Sequence, residues 1–114
     1  MSDRAPIDAA AFAELQDSAG ADFVAELVDT FLEEAPRMLA ELRSAAGTGR
    51  PEAFRRAAHS LKSNANTFGA TRLGELAREL ELNGVPPGGE GAALDALTHE
   101  YGRVSARLQE LRRA

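Results

Sequence analysis

An all-α fold is predicted for this chain, an antiparallel up-down four-helix bundle with a short extra helix at its N-terminus, on three observations. The 114 residues include 23 Ala and 14 Leu but only 4 Val and 1 Ile, so good helix formers swamp the β-branched residues that strands favour. Apolar residues recur at three- and four-residue spacing along most of the chain. The breaks in that period are short, which sets successive helices side by side and antiparallel. With 44% hydrophobic residues and no Cys, one domain over 1–114 can bury a core without disulfides.

Each element has its own signal. Residues 1–6 are expected as a flexible lead-in. Asp8 is an N-cap for a first helix, with Ile7 and Phe12 spaced as a hydrophobic staple and Gly20 as its stop. From Ala21 to about Ala46 the apolar positions Val24, Leu27, Val28, Phe31, Leu32, Ala35, Met38, Leu39 and Leu42 mark a long second helix. Pro36 inside it costs one backbone hydrogen bond, so a kink is expected there and not a stop. The run Gly47-Thr48-Gly49-Arg50-Pro51 breaks the chain, and Pro51 suits the first turn of a third helix reaching Thr67 or Phe68. Gly69-Ala70 makes a tight connection, and Thr71 is the expected N-cap of a fourth helix ending near Asn83-Gly84. Residues 85–91, with Pro86-Pro87-Gly88-Gly89, read as a loop. Leu94, Leu97, Tyr101, Val104, Leu108 and Leu111 form the seam of the last helix.

Charge narrows the function. A net charge of −5 argues against nucleic acid as partner, since phosphates need a basic face. No apolar run approaches a membrane span, and MSDRAPIDAA lacks a secretory apolar stretch, so a cytoplasmic location is expected. There is no GxxxxGK[ST] motif and no glycine-rich loop between strand and helix, so the chain is not expected to use ATP itself or to be a kinase.

The third helix carries the one candidate nucleophile. At 100° per residue, Phe54, Ala58, Leu61, Ala65 and Phe68 fall within about 40° of one another and should be buried. Arg55, His59, Lys62 and Asn66 cluster on one flank, at the edge of that stripe. The segment from Ala53 to Gly74 contains no acid and carries +4, leaving −9 on the rest of the chain. Lys62 is the single lysine among 13 basic residues, three positions from His59. Taken alone, a histidine on a helix flank is a solvated surface residue. No metal site is expected, because His99 is the only other histidine and no ligand spacing joins the two. His99 itself is assigned no role.

The ordered set Ala58-His59-Ser60-Leu61-Lys62-Ser63-Asn64, then Phe68-Gly69-Ala70, Leu73, Leu76, Leu80 and Glu81, resembles the signature of histidine-containing phosphotransfer (HPt) domains. The upstream Phe31-Leu32-Glu33-Glu34-Ala35-Pro36 resembles the preceding helix of that family. Ser63 stands where Gly is most frequent, and Ala65 replaces a frequent Ser. The resemblance implies a phosphoryl carrier in a multistep two-component phosphorelay, with His59 accepting and donating phosphate to and from aspartates of receiver domains. The partners implied are response-regulator receiver domains and a hybrid sensor histidine kinase, with Mg²⁺ held by the receiver and no cofactor in this chain. A monomer is expected. The competing reading is a degenerate bundle that docks receivers or a kinase without carrying phosphate.

The residues support the first reading. A histidine imidazole is largely unprotonated and nucleophilic near neutral pH, and a flank position leaves it open to a partner. The Lys62 ammonium suits the charged oxygens of a transferring phosphoryl group. Arg55, Arg56, Ser63 and Asn66 would form the receiver-docking face, with Ser63 small enough to admit it. A turn centred near Phe68–Ala70 pairs residues whose numbers sum to about 138–140, so His59 faces positions 79–81. Glu81 is then placed to accept from Nδ1–H and leave Nε2 free to attack.

Overall fold

The computed structural model describes residues 4–86 and 91–113, and among these it is all helical. The helices are α1 (Ala9–Ala19), α2 (Ala21–Thr48), α3 (Pro51–Thr67), α4 (Thr71–Asn83) and α5 (Ala92–Arg113). α3 packs against α2 and α4, and α5 packs against α4 and α2, while α1 lies on α2. Each of α2 to α5 thus touches two of the other three, with one core between them. Phe54, Leu42, Leu61, Leu73, Leu94, Leu97 and Leu108 are fully buried in that core.

α1 begins as its sequence requires. The Asp8 carboxylate accepts from the amides of Ala10 and Ala11 at 3.0 and 3.2 Å, and Ile7 and Phe12 are both buried. α2 runs two residues beyond the expected end at Ala46, through Gly47 and Thr48. A glycine inside a helix weakens it without ending it; the stop comes at Gly49, whose φ of +66° lets the Arg50 amide close back onto the Ala45 carbonyl at 2.9 Å. Pro36 lies within α2, which continues through it. At about 1.5 Å per residue the 28 residues span roughly 42 Å, so this one helix sets the 43 Å long dimension of the molecule.

The α3–α4 connection corrects one expectation. Ala70, not Thr71, is the N-cap of α4, and Thr71 is its first helical residue. Backbone bonds close the turn instead: Gly69 N–H to the Asn66 carbonyl at 3.2 Å and Ala70 N–H to the Ala65 carbonyl at 2.9 Å. The Asp8 amide then donates to the Gly69 carbonyl at 2.9 Å, docking the start of α1 on the hairpin. Gly69 has a φ of +78°, and a Cβ there would lie 3.0 Å from that of Ala11, so both conformation and space call for glycine. Beneath the turn the Phe68 ring packs on Phe31, which also meets Tyr101 edge-on.

Of the lead-in expected to be flexible, residues 1–3 lie outside the described residues. Arg4 is tied down, with Nη1 2.8 Å from Glu75 Oε1 on α4 and its carbonyl accepting from Arg103 on α5 at 2.6 Å. Of the expected loop, residues 87–90 lie outside the described residues, while Val85 packs on the edge of the core.

Candidate functional site

The buried stripe of α3 is the one its periodicity predicts: Phe54, Ala58, Leu61, Ala65 and Phe68 are all inside. Burying that stripe fixes the rotation of the helix and holds His59 on its flank, with 58% of its side chain exposed. On α4, Leu73, Ala77 and Leu80 turn inward, which brings Glu81 round to the α3 side.

The two helices meet at the level the hairpin arithmetic gives. His59 Nδ1 lies 2.8 Å from Glu81 Oε2, and Lys62 Nζ lies 2.7 Å from Glu81 Oε1. One carboxylate therefore holds both the histidine and the lysine, each through a different oxygen. The Glu81 side chain is 18% exposed and that of Lys62 23%, so the pair is shielded while the imidazole stays open. Lys62 first and His59 second hold the Glu81 carboxyl below the usual glutamate range, against a smaller opposing effect of burial. An ionised carboxylate only accepts, so Nδ1 is the protonated nitrogen and the lone pair lies on Nε2. The result is an exposed imidazole held at Nδ1 by Glu81, with an ammonium on the other oxygen of the same carboxylate.

Lys62 was expected as a cation near His59 for phosphoryl oxygens; the structure adds that Glu81 holds it. Arg55 was expected on the docking face, yet its guanidinium pairs with Glu52, one residue before the acid-free segment begins. Arg56 is exposed, with no ion-pair partner among the described residues. Ser63 is exposed one turn beyond His59, and its carbonyl accepts from Thr67 Oγ1 at 3.0 Å.

Asn66 is exposed and lies over α4, its Oδ1 only 2.3 Å from where a Cβ on Gly74 would stand. That glycine leaves room for the side chain to lie across the seam toward α4 while it stays exposed. Ser60 was quoted in the motif around His59 but given no role by sequence reasoning; with Arg55, Arg56, His59 and Glu81 it lines a shallow hollow of about 400 Å³.

His99 is exposed and lines a separate hollow of about 450 Å³ between α4 and α5, with Arg72 and Arg103 among its neighbours. No carboxylate is paired with its ring among the described residues, so its tautomer is not set as that of His59 is. Among the described residues no group of three or more His, Asp or Glu is placed to hold a metal ion, and no helix is long and apolar enough to cross a membrane.

The family model described as the Hpt domain matches residues 26–114. A solved structure, the crystal structure of histidine-containing phosphotransfer protein B from Pseudomonas aeruginosa PAO1, is similar over 97% of each chain, with 27% sequence identity and a TM-score of 0.84. No curated protein matches the chain closely enough to be counted as a relative.

Proposed function

The chain belongs to the Hpt domain family, and from that premise we propose that it is a phosphoryl carrier which loads and unloads at His59. Family membership assigns it a part in histidine phosphotransfer within two-component signalling. The observation that carries the site assignment is the contact of Glu81 Oε2 with Nδ1 of an exposed imidazole.

In the loading step the Nε2 lone pair forms a bond to phosphorus while the aspartyl carboxylate of a receiver leaves with the electrons of its P–O bond. Nδ1 keeps its proton, and Glu81 balances the positive charge that the phosphorylated ring then carries. Lys62 leaves Glu81 Oε1 for the phosphoryl oxygens, a short movement for a flexible ammonium. Unloading is the same step reversed onto the aspartate of a second receiver. The Mg²⁺ belongs to the receivers, and this chain acts as a substrate of the transfer without binding ATP.

We assign the scaffold as an antiparallel up-down bundle of α2 to α5, with α1 outside it. Supporting this, Asp29 near the start of α2 pairs with Arg112 near the end of α5 at 2.5 Å, and Arg43 near the end of α2 pairs with Asp95 near the start of α5 at 3.0 Å. The test of function is transfer from a phosphorylated receiver domain of the same cell to the wild-type chain and to His59→Gln. Label on the wild type only is expected, with melting nearly unchanged because the ring is exposed and Glu81 retains Lys62 as partner. Label on the variant would remove the assignment.

A further inference from the structure

On the side of α4 away from His59, α4 and α5 face each other across a gap that phosphotransfer at His59 does not use. At 100° per residue, Arg72 points about 180° from Glu81 round α4, and Leu76 stands one turn further along that far side. On α5, Arg103 follows Glu100 by three residues and His99 by four, so the three share one face. Together with Arg4 these residues line the hollow of about 450 Å³.

Donors and acceptors round this hollow do not balance. Arg4 directs both Nη atoms to Glu75, at 2.8 and 3.3 Å. Arg103 gives Nη1 to Glu100 Oε1 at 2.9 Å and Nη2 to the Arg4 carbonyl at 2.6 Å. Arg72 is left 3.6 Å from Glu75 Oε1, too far for a hydrogen bond. The exposed His99 ring has no carboxylate partner among the described residues. Glu100, by contrast, is 5% exposed, and its Oε2 is shielded from solvent with no hydrogen-bond partner among the described residues. A buried carboxylate oxygen without a donor is unfavourable. One hollow thus has two unused donors and one unused acceptor on its walls.

We propose that this hollow binds inorganic phosphate. Two phosphate oxygens accept from Arg72 and from the His99 ring N–H, within the positive field of Arg4 and Arg103. The phosphate O–H donates to Glu100 Oε2, which a small turn of the carboxyl brings onto the hollow that its side chain already lines. Three arginines favour an anion, and the one carboxylate selects an anion that carries a proton. Sulfate and the dianion of a phosphomonoester have charge but no proton to give, so their oxygens would face the carboxylate unpaired. This hollow shares no residue with the one at His59, so phosphate binding here does not depend on the phosphocarrier reading.

The test is a titration of the wild-type chain with phosphate, sulfate and methyl phosphate at constant ionic strength, read from the ring signals of both histidines in ¹⁵N–¹H spectra. At about pH 8 all three anions are dianions, since a phosphomonoester loses its second proton near about pH 6, and inorganic phosphate alone keeps an O–H. The His99 ring should shift saturably and the His59 ring should not. Phosphate should bind at least about tenfold more tightly than either other anion, equivalent to about 1.4 kcal/mol. Arg72→Ala should weaken binding of all three, and Glu100→Gln should erase the preference, because an amide N–H donates to any oxyanion. The wild-type comparison and the variant at partly exposed Arg72 decide the outcome even if Glu100→Gln does not fold. Equal affinities for the three anions would make the hollow a mere cluster of cations and overturn the proposal. So would a shift at His59 with none at His99, unchanged binding in Arg72→Ala, or a folded Glu100→Gln that still prefers phosphate.

Discussion

Replacing Glu81 separates what its two oxygens do. In Glu81→Ala both contacts go: the 2.8 Å bond that fixes Nδ1–H and the 2.7 Å bond to Lys62. The His59 ring is 58% exposed, so water takes over at Nδ1 and no buried donor is stranded. The loss is then that of one charge-assisted hydrogen bond at a partly solvated site, about tenfold in transfer rate, far below the roughly 10⁴ seen when a buried triad loses its orienting acid.

Glu81→Gln has a single acceptor oxygen. Directed at Nδ1–H it preserves the reactive tautomer and turns its amide N–H groups toward the Lys62 ammonium, which moves out to solvent. This variant should run within about threefold of wild type. The assay is rapid-quench transfer from a labelled phosphorylated receiver, with ¹⁵N spectra of the imidazole reporting the tautomer. Wild-type rate and wild-type ring spectra in Glu81→Ala would refute the orienting role. A Glu81→Gln variant as slow as Glu81→Ala would show that the negative charge matters and the acceptor does not.

The remaining expectations concern the same cluster. The Glu81 carboxyl is held below the usual glutamate range, so its contribution is complete above that range and is lost only as pH falls through its lowered value. A ¹³C titration of the Glu81 side chain should show a depressed midpoint that rises further in Lys62→Ala than in His59→Gln, because Lys62 is the larger cause; the opposite order would refute that ranking. Lys62→Ala should slow transfer about tenfold without stopping it, since the ammonium stabilises charge but forms no bond to phosphorus. A wild-type rate there would make Lys62 a partner of Glu81 and nothing more.

Periodicity made the helices legible, because burying one stripe per helix is what decides their rotation, and the same stripe placed His59 on the flank. Antiparallel pairing about Gly69 then set positions 79–81 opposite His59, and the angle of Glu81 to the buried stripe of α4 singled it out. Local chemistry was harder to read. Thr71 has the right side chain for an N-cap, but the turn closes through backbone bonds that leave it no such task. Gly47 and Thr48 look like a break, yet only Gly49 takes the left-handed conformation. The ion pairs between long side chains were not legible: Glu52 captures Arg55 just beyond the segment scanned for acids, and Lys62 prefers Glu81 to open solvent.

The central claim is that Nε2 of His59 bears the phosphoryl group. ³¹P–¹H correlation spectra of the chain, recorded after incubation with a phosphorylated receiver and joined to peptide mapping of the same sample, test this most directly. The account predicts one acid-labile, base-stable phosphate, on His59, coupled to the ring as an Nε2 adduct. A phosphate on Nδ1, on His99, or on no histidine would contradict it.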